Sequence, residues 1–203
     1  TLETVRQYAE DHLQAHGEHE LARAAHRRYF VALAEDARRH LRGVDQSRWF
    51  ALLDAELDNF RAALESCRAT EDEYDTGLQL TSALEIFWHL RGYWTEGRES
   101  CERFLSLTEG GSTTYRARAL KTASLLATEH GDYDRARAYL TESLSINEPS
   151  GNELAVAWSL VGFGDISLRL RQLDDATAQF ERALSVFRAC DDPAGLAITL
   201  QNL

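Results

Sequence analysis

The stretch GDYDRARAYLTESL, residues 131–144, occurs in three related forms along the chain. One copy, GYWTEGRESCERFL at 92–105, lies 39 residues upstream, and another, RQLDDATAQFERAL at 171–184, lies 40 residues downstream. Each copy places an apolar or aromatic residue, a small residue and a large apolar residue or Cys at the same intervals, and each ends in Leu. Self-similarity at a fixed period predicts a repeat protein whose units pack only against their neighbours.

The composition favours helices and a continuous core. The 203 residues include 2 Pro and 12 Gly, and 44% of them are hydrophobic, which suits helices packed on helices. The three cysteines, Cys67, Cys101 and Cys190, are odd in number and lack metal-ligand spacing, so we predict reduced thiols, with Cys101 buried at a repeat core position. We therefore expect a cytoplasmic protein. No apolar run approaches the roughly 18 residues of a membrane span, so we expect no membrane contact.

The charge balance argues against nucleic acid as a partner of this segment. Lys and Arg number 22 against 33 Asp and Glu, which gives a net charge of −11, whereas nucleic-acid-binding surfaces are basic. Three histidines, His12, His16 and His19, have spacing that places two imidazoles on one helix face, but Gly17 interrupts the pattern and no acidic ligand accompanies them. We predict no metal and no cofactor.

Helical periodicity and turn residues divide the chain into two regions. Residues 1–70 predict a helical region with helices over 1–16, 18–41 and 45–68, and residues 71–203 predict the repeats. The predicted repeats cover 74–109, 112–148, 152–190 and a truncated 193–203. We take the chain to be part of a longer protein, and we expect the end at Leu203 to dimerise or fray. The apolar stripe of the second helix predicts these buried residues, with Phe30 beside them: Leu21, Ala25, Tyr29, Ala32, Leu33 and Ala37.

The core positions of the repeats resemble the tetratricopeptide repeat, in which small residues let two antiparallel helices approach closely. The third repeat shows the pattern most clearly, with Leu160, Phe163 and Gly164 in its first helix and Leu173, Ala176, Phe180 and Ala183 in its second. The resemblance implies an all-α, right-handed superhelix of antiparallel helix pairs. Glu85 replaces a small residue and Arg171 replaces the inter-helix Gly. The period also exceeds the usual value of about 34, which suggests longer helices.

The resemblance also implies that the first helix of each pair lines a concave groove. Transferring its inward positions gives these candidate partner- or ligand-binding residues: Gln79, Ser82, His89, Arg118, Lys121, Leu125, Trp158, Val161, Asp165 and Arg169. Arg118 and Lys121 have the chemistry to meet a carboxylate or phosphate, and Trp158 has the ring to anchor a partner. The alternatives are solvated cations and a Trp packed on the next repeat. No nucleophile stands with a base and no phosphate loop appears, so we predict that the segment is not an enzyme.

Two N-terminal strings, LETVRQYA at 2–9 and AELDNFRAAL at 55–64, resemble a known arrangement. It is the stretch that follows the nucleotide-binding and winged-helix modules in multidomain bacterial signal-transduction ATPases, mostly from actinomycetes. These include LuxR-type and antibiotic-regulatory-protein-type transcription factors. The resemblance implies a non-catalytic interaction or sensor domain that controls an ATP-dependent switch elsewhere in the parent chain. A protein partner, self-association, a small-molecule effector in the groove and a stand-alone scaffold or adaptor all stay open.

Overall fold

The computed structural model describes residues 8, 12, 16, 18–111 and 113–203. These residues form eleven α-helices and a 3₁₀ turn at Glu71–Glu73, with no strand among them. The helices are α1 His19–His40, α2 Gln46–Ala55, α3 Leu57–Cys67, α4 Tyr74–Ala83, α5 Glu85–Leu90, α6 Trp94–Leu107, α7 Thr114–Glu129, α8 Tyr133–Asn147, α9 Glu153–Arg169, α10 Leu173–Ala189 and α11 Pro193–Asn202. The helix predicted over 1–16 lies almost wholly outside the described residues. None of the described helices is long and apolar enough to cross a membrane.

The helices form successive pairs that stack into a solenoid. Within each repeat the first helix packs on the second, as α7 does on α8 and α9 on α10, and each second helix also packs on the first helix of the next repeat. The predicted all-α solenoid of helix pairs is therefore confirmed. The first helices α1, α4–α5, α7, α9 and α11 follow one another along one side of the stack.

The N-terminal helices continue the same stack. Helix α1 packs against α3 and α4, so α1 with α2–α3 forms a further pair before the repeats that the sequence predicted. The largest core cluster runs from Phe30 to Leu126 and thus crosses residue 70. The division of the chain at that point stays a prediction.

The predicted buried stripe of α1 is wrong except at Ala37, which is buried, and at Leu33, which is half-buried. Leu21 is 73% exposed and Tyr29 62% exposed, whereas Arg27, Phe30, Ala34 and Ala37 are buried. Among the described helices, α1 packs against α2, α3 and α4, so the face of α1 that is turned toward them is the buried one. The Arg27 guanidinium is held there by hydrogen bonds to Ser66 Oγ (2.7 Å) and Glu73 Oε1 (3.0 Å).

Small residues let the paired helices approach where the repeat pattern predicted it. A Cβ atom built on Gly164 would lie 2.5 Å from a ring carbon of Phe180, so the ring fills the space of the missing side chain. Phe180, Ala176 and Ala183 are buried as predicted, but Leu173 is 63% exposed because it opens α10 at the solvent edge. Such ring-to-backbone contact favours close packing of apolar surface.

Turn and cap residues set the helix ends. Thr113 Oγ1 accepts from the Arg116 N–H at 3.1 Å, and Asp192 Oδ1 accepts from the N–H groups of Ala194 and Gly195 at 3.0 Å, so both side chains cap the helices that follow them. Asp45 precedes α2 but forms no such side-chain bond. Arg171, at the inter-helix Gly position, adopts φ 60°, a left-handed conformation that favours glycine.

The first helix of the first predicted repeat is interrupted at Leu84, which separates α4 from α5. The Trp88 indole Nε1 donates to the Thr81 carbonyl at 3.2 Å. In a continuous helix that carbonyl would accept from the backbone N–H four residues later, at Glu85. The interruption places Glu85 at the start of α5, on the side of the stack that faces the groove.

Candidate functional site

The first helices of the stack enclose a cavity of about 550 Å³. It receives side chains from α5, α7, α9 and α11, together with Leu140 of α8 and Arg42 from the loop after α1. Its apolar walls include Leu125, Val161, Leu168 and Ile198. The cavity lies on the side of the stack formed by the first helices, where the repeat resemblance predicted a groove.

Seven of the ten candidate residues line this cavity: His89, Lys121, Leu125, Trp158, Val161, Asp165 and Arg169. Ser82 and Arg118 line an adjoining recess of about 140 Å³ on the other side of Lys121 and Trp158. Gln79 lies with Arg118 in a shallower depression beside α1. Ser82 and Val161 are buried in the walls, and the Ser82 hydroxyl donates to the Gln79 carbonyl at 3.0 Å. Whether these residues bind a partner stays a prediction.

Trp158 is half-buried where the cavity and the recess meet. Its ring packs edge-on against Phe187, with centroids 5.1 Å apart. The Arg42 guanidinium carbon lies 4.9 Å from the ring centroid and the Lys121 Nζ 5.6 Å from it, within the range of cation–π attraction. Arg42 thereby brings the N-terminal pair into contact with the third repeat, which no sequence pattern predicted.

Glu85 is the central anion at the end of the groove where Trp158 lies. Its Oε1 accepts from Lys121 Nζ at 2.7 Å, its Oε2 accepts from Thr122 Oγ1 at 3.0 Å, and an Arg42 nitrogen lies 3.9 Å away. Burial opposes the charge, but Lys121 and Arg42 outweigh it and hold the pKa of Glu85 below its ordinary value. Glu85 thus stays ionised although it is almost fully buried.

Glu35 of α1 plays the same part for Arg118. Arg118 donates to Glu35 Oε1 at 2.8 Å, and Arg38 Nε donates to Oε2 at 3.0 Å. Burial again opposes ionisation, and Arg118 followed by Arg38 lowers the pKa of Glu35. The two groove cations that the sequence offered to a ligand, Arg118 and Lys121, are therefore engaged by carboxylates of the protein itself.

At the far end of the cavity, near Asp165, the charged groups are paired differently. Glu129 Oε1 accepts from Arg169 at 2.7 Å and lies 3.4 Å from His89 Nε2. Asp165 accepts one hydrogen bond, from Asn202 Nδ2 at 3.0 Å, and forms no ion pair with any residue that the structure describes. Burial raises the pKa of Asp165 to about 6, although the nearby charge of Arg169 and, less strongly, that of Lys121 oppose the shift, and Glu129 adds to it.

The candidate residues predicted from the sequence did not include three carboxylates and one amide that line or border the groove: Glu35, Glu85, Glu129 and Asn202. The signal was present as residues of complementary chemistry one repeat apart. Glu85 and Lys121 are 36 residues apart, Asp165 and Asn202 are 37 apart, and Glu129 and Arg169 are 40 apart. Equivalent positions on neighbouring first helices face each other, so these pairs form a ladder across the groove.

The cavity presents groups that can contact a bound molecule. Burial raises the pKa of Cys67 and of Cys101 to about 12, so both thiols are protonated at neutral pH. No group of three or more metal-ligating side chains occurs within the described ranges. The cavity offers an aliphatic strip, one aromatic ring and one carboxylate, Asp165, that forms no ion pair with a described residue.

Comparisons with known proteins agree with this geometry. Residues 115–189, which span α7 to α10, match the family described as tetratricopeptide repeat. The crystal structure of BtubC (BKLC) from P. vanneervenii superposes with a TM-score of 0.60 at 22% identity, over 90% of this chain and 82% of that chain. No curated protein matches the chain significantly. Helix pairs, family match and structural likeness together show a tetratricopeptide-repeat region within an all-α solenoid.

Proposed function

We propose that the chain is a non-catalytic recognition domain whose concave cavity binds a segment of a partner protein. One observation supports this above the others: a cavity of about 550 Å³ is walled by half-buried Trp158 and by aliphatic side chains of three first helices. Tryptophan in a partly desolvated pocket is a frequent anchor for a partner side chain. Repeat solenoids commonly use their concave surface in this way.

The ladder of polar pairs supports a mechanism by population shift. Glu85–Lys121 and Glu129–Arg169 each join neighbouring first helices, so they hold one curvature of the stack. A partner that fits this curvature better than another stabilises that state and any domain coupled to it. The free energy available to shift the equilibrium is set by the ratio of the partner's affinities for the two curvatures of the stack.

The parent protein that we propose is a bacterial transcriptional regulator in which this domain controls an ATP-dependent switch. The resemblance of residues 2–9 and 55–64 to the signal-transduction ATPases supports it. The second string forms the end of α2 and most of α3, and Phe60 within it is fully buried in the core. A cytoplasmic location follows from the same proposal.

A small-molecule effector is the second candidate. The cavity volume of about 550 Å³ falls within the range of ligand pockets, roughly 300–1,000 Å³. An effector site predicts a thermal shift of the isolated domain with one class of metabolite and no partner requirement. A scaffold role predicts that groove substitutions leave the parent's activity unchanged.

The test is a comparison of two tryptophan substitutions. Proteins captured by the domain in the organism that encodes it would be identified, purified and titrated against wild type, Trp158→Ala and Trp49→Ala by calorimetry. Trp49 is also half-buried but stacks on His40 at the end of α1, away from the cavity. We expect at least a tenfold loss of affinity for Trp158→Ala and no loss for Trp49→Ala. Equal affinity of all three proteins for every partner would overturn the proposal.

A further inference from the structure

We propose that the cavity takes a positively charged side chain, a Lys or Arg of the partner segment, which forms an ion pair with Asp165. The inference rests on the proposed function, since it names the chemistry of the segment that the groove binds. It assigns different roles to the two ends of the same cavity.

The first step is the state of the charged groups around the cavity. Arg42 and Lys121 share Glu85, and His89 and Arg169 share Glu129. Asp165 differs, because its partner in the described part of the chain is the neutral amide of Asn202. A cation that enters the cavity therefore finds one carboxylate that is not already in an ion pair.

The second step is the free-energy cost of burying the charged Asp165 carboxylate. Asp165 lies on α9 among Val161, Leu168 and Ile198 side chains of the cavity wall. A carboxylate in partly apolar surroundings with a single hydrogen bond loses much of its hydration without full compensation. An ammonium or guanidinium group would supply the missing charge and further hydrogen bonds.

The third step is the position within the cavity at which the cation of the ligand binds. Trp158 and Asp165 are seven residues apart on α9, which corresponds to about 10 Å along a helix. The ring of Trp158 already faces the cations Arg42 and Lys121, so a ligand cation is repelled at that end. Leu125 and Leu168 lie in the wall and suit the aliphatic stem of a long basic side chain.

The fourth step is long-range charge. The chain has a net charge of −11, so a basic segment is attracted before contact, and its association rate falls with added salt. A neutral or acidic segment would gain no such advantage. The charge of the whole chain and the one carboxylate of the cavity, Asp165, that has no ion pair among the described residues thus favour the same class of partner.

The probe for the test is Nα-acetyl-lysine methylamide, titrated into the whole 203-residue chain while NMR follows the Asp165 carboxyl carbon and the Trp158 indole. We expect lysine to shift the Asp165 signal, and the norleucine analogue, which keeps the stem but lacks the ammonium, to leave it unchanged. Asp165→Asn should abolish lysine binding, whereas Asp175→Asn, in the exposed first turn of α10, should keep it. Equal effects of the lysine and norleucine probes would overturn the proposal. A shift of the Asp165 signal with the polycation spermidine but not with the lysine probe would overturn it as well.

Binding should also depend on pH. The groups that face Asp165 from the packed elements are Lys121 and Glu129 of α7, Arg169 of α9 and Asn202 of α11, with His89 of α5 beside Glu129. Because burial raises the pKa of Asp165 to about 6, the affinity for the lysine probe should rise several-fold between pH 5 and pH 7. A flat profile over this range would contradict the assignment of Asp165 as the anion.

The partner titrations separate this inference from the proposed function. A partner that requires Trp158 but binds Asp165→Asn as tightly as wild type would overturn the cation site and leave the proposed function standing. A partner indifferent to both substitutions would overturn both. A partner that loses at least tenfold with either substitution, and whose Lys or Arg cross-links to the cavity, would support both.

Discussion

The first and third predicted repeats differ at the same structural position. In the third, Gly164 lies against the ring of Phe180, whereas in the first Glu85 takes the small-residue position and Cys101 takes the position of the ring. The replacement of Phe by Cys accompanies that of Gly by Glu, and the Glu85 carboxylate joins the groove ladder. A departure from the repeat pattern thus marks a residue with a further role.

The two repeats also divide the groove charge unequally. Glu85 of the first repeat has two cations and a hydroxyl around it, and Asp165 of the third has one amide. The first arrangement stabilises the stack, and the second leaves an anion that burial destabilises. Opposite effects on stability are therefore expected when the two carboxylates are neutralised.

The largest effect should come from Glu85→Gln. The substitution leaves Lys121 and Arg42 near each other without their shared anion, and breaking a buried ion pair on one side costs about 3 kcal/mol. Urea denaturation measures the loss. Glu65→Gln removes an exposed pair with Arg68 and should cost less than about 0.5 kcal/mol. Similar values for the two variants would show that the ladder does not stabilise the stack.

Gly164→Ala should destabilise the third repeat by about 2 kcal/mol, because the new Cβ overlaps the Phe180 ring. Gly162→Ala on the same helix is the control. Its Cβ would meet a Leu140 methyl at 3.0 Å, a flexible group, and alanine favours the helix. Thermal denaturation of both variants should separate them, and equal melting temperatures would contradict the close ring contact.

Asp165→Asn should stabilise the chain at pH 7.5 by about 1–2 kcal/mol and have little effect near pH 4. Burial raises the pKa of Asp165 from 3.8 to about 6, so the folded state binds the proton more tightly than the unfolded one. The contribution of Asp165 to the stability of wild type therefore falls as pH rises from about 4 to about 6, and Asn does not titrate. Urea midpoints at both pH values measure the difference, and a destabilised variant at pH 7.5 would be the contrary result.

The smallest effect concerns the turn between the paired helices. Arg171 adopts φ 60° where the first repeat has Gly92 at φ 75°. Relieving the left-handed strain with Arg171→Gly should stabilise the third repeat by about 1 kcal/mol, and Gly92→Arg should destabilise the first by a similar amount. Calorimetric melting of the two variants checks the sign of each change. Shifts in the same direction would rule out the strain explanation.

Much of the fold could be predicted because its signals are local. Helices, turn residues and core positions such as Phe180 recur at a fixed period along the chain. The prediction that Leu21 and Tyr29 of α1 are buried was wrong because they belong to an apolar face that the described stack leaves uncovered. Periodicity shows that a helix has an apolar face, but the neighbours decide which face is buried.

The sequence by itself determined the helix pairs, which follow from spacing along one chain, and its resemblance to the tetratricopeptide repeat implied which helices line the groove. Only the tertiary structure decided which groove charges are paired. Glu85 meets Lys121 across 36 residues, and Glu35 meets Arg118 across 83. Such partners lie on different helices, and their distance depends on the curvature of the whole stack. The same curvature leaves Asp165 with an amide for its partner.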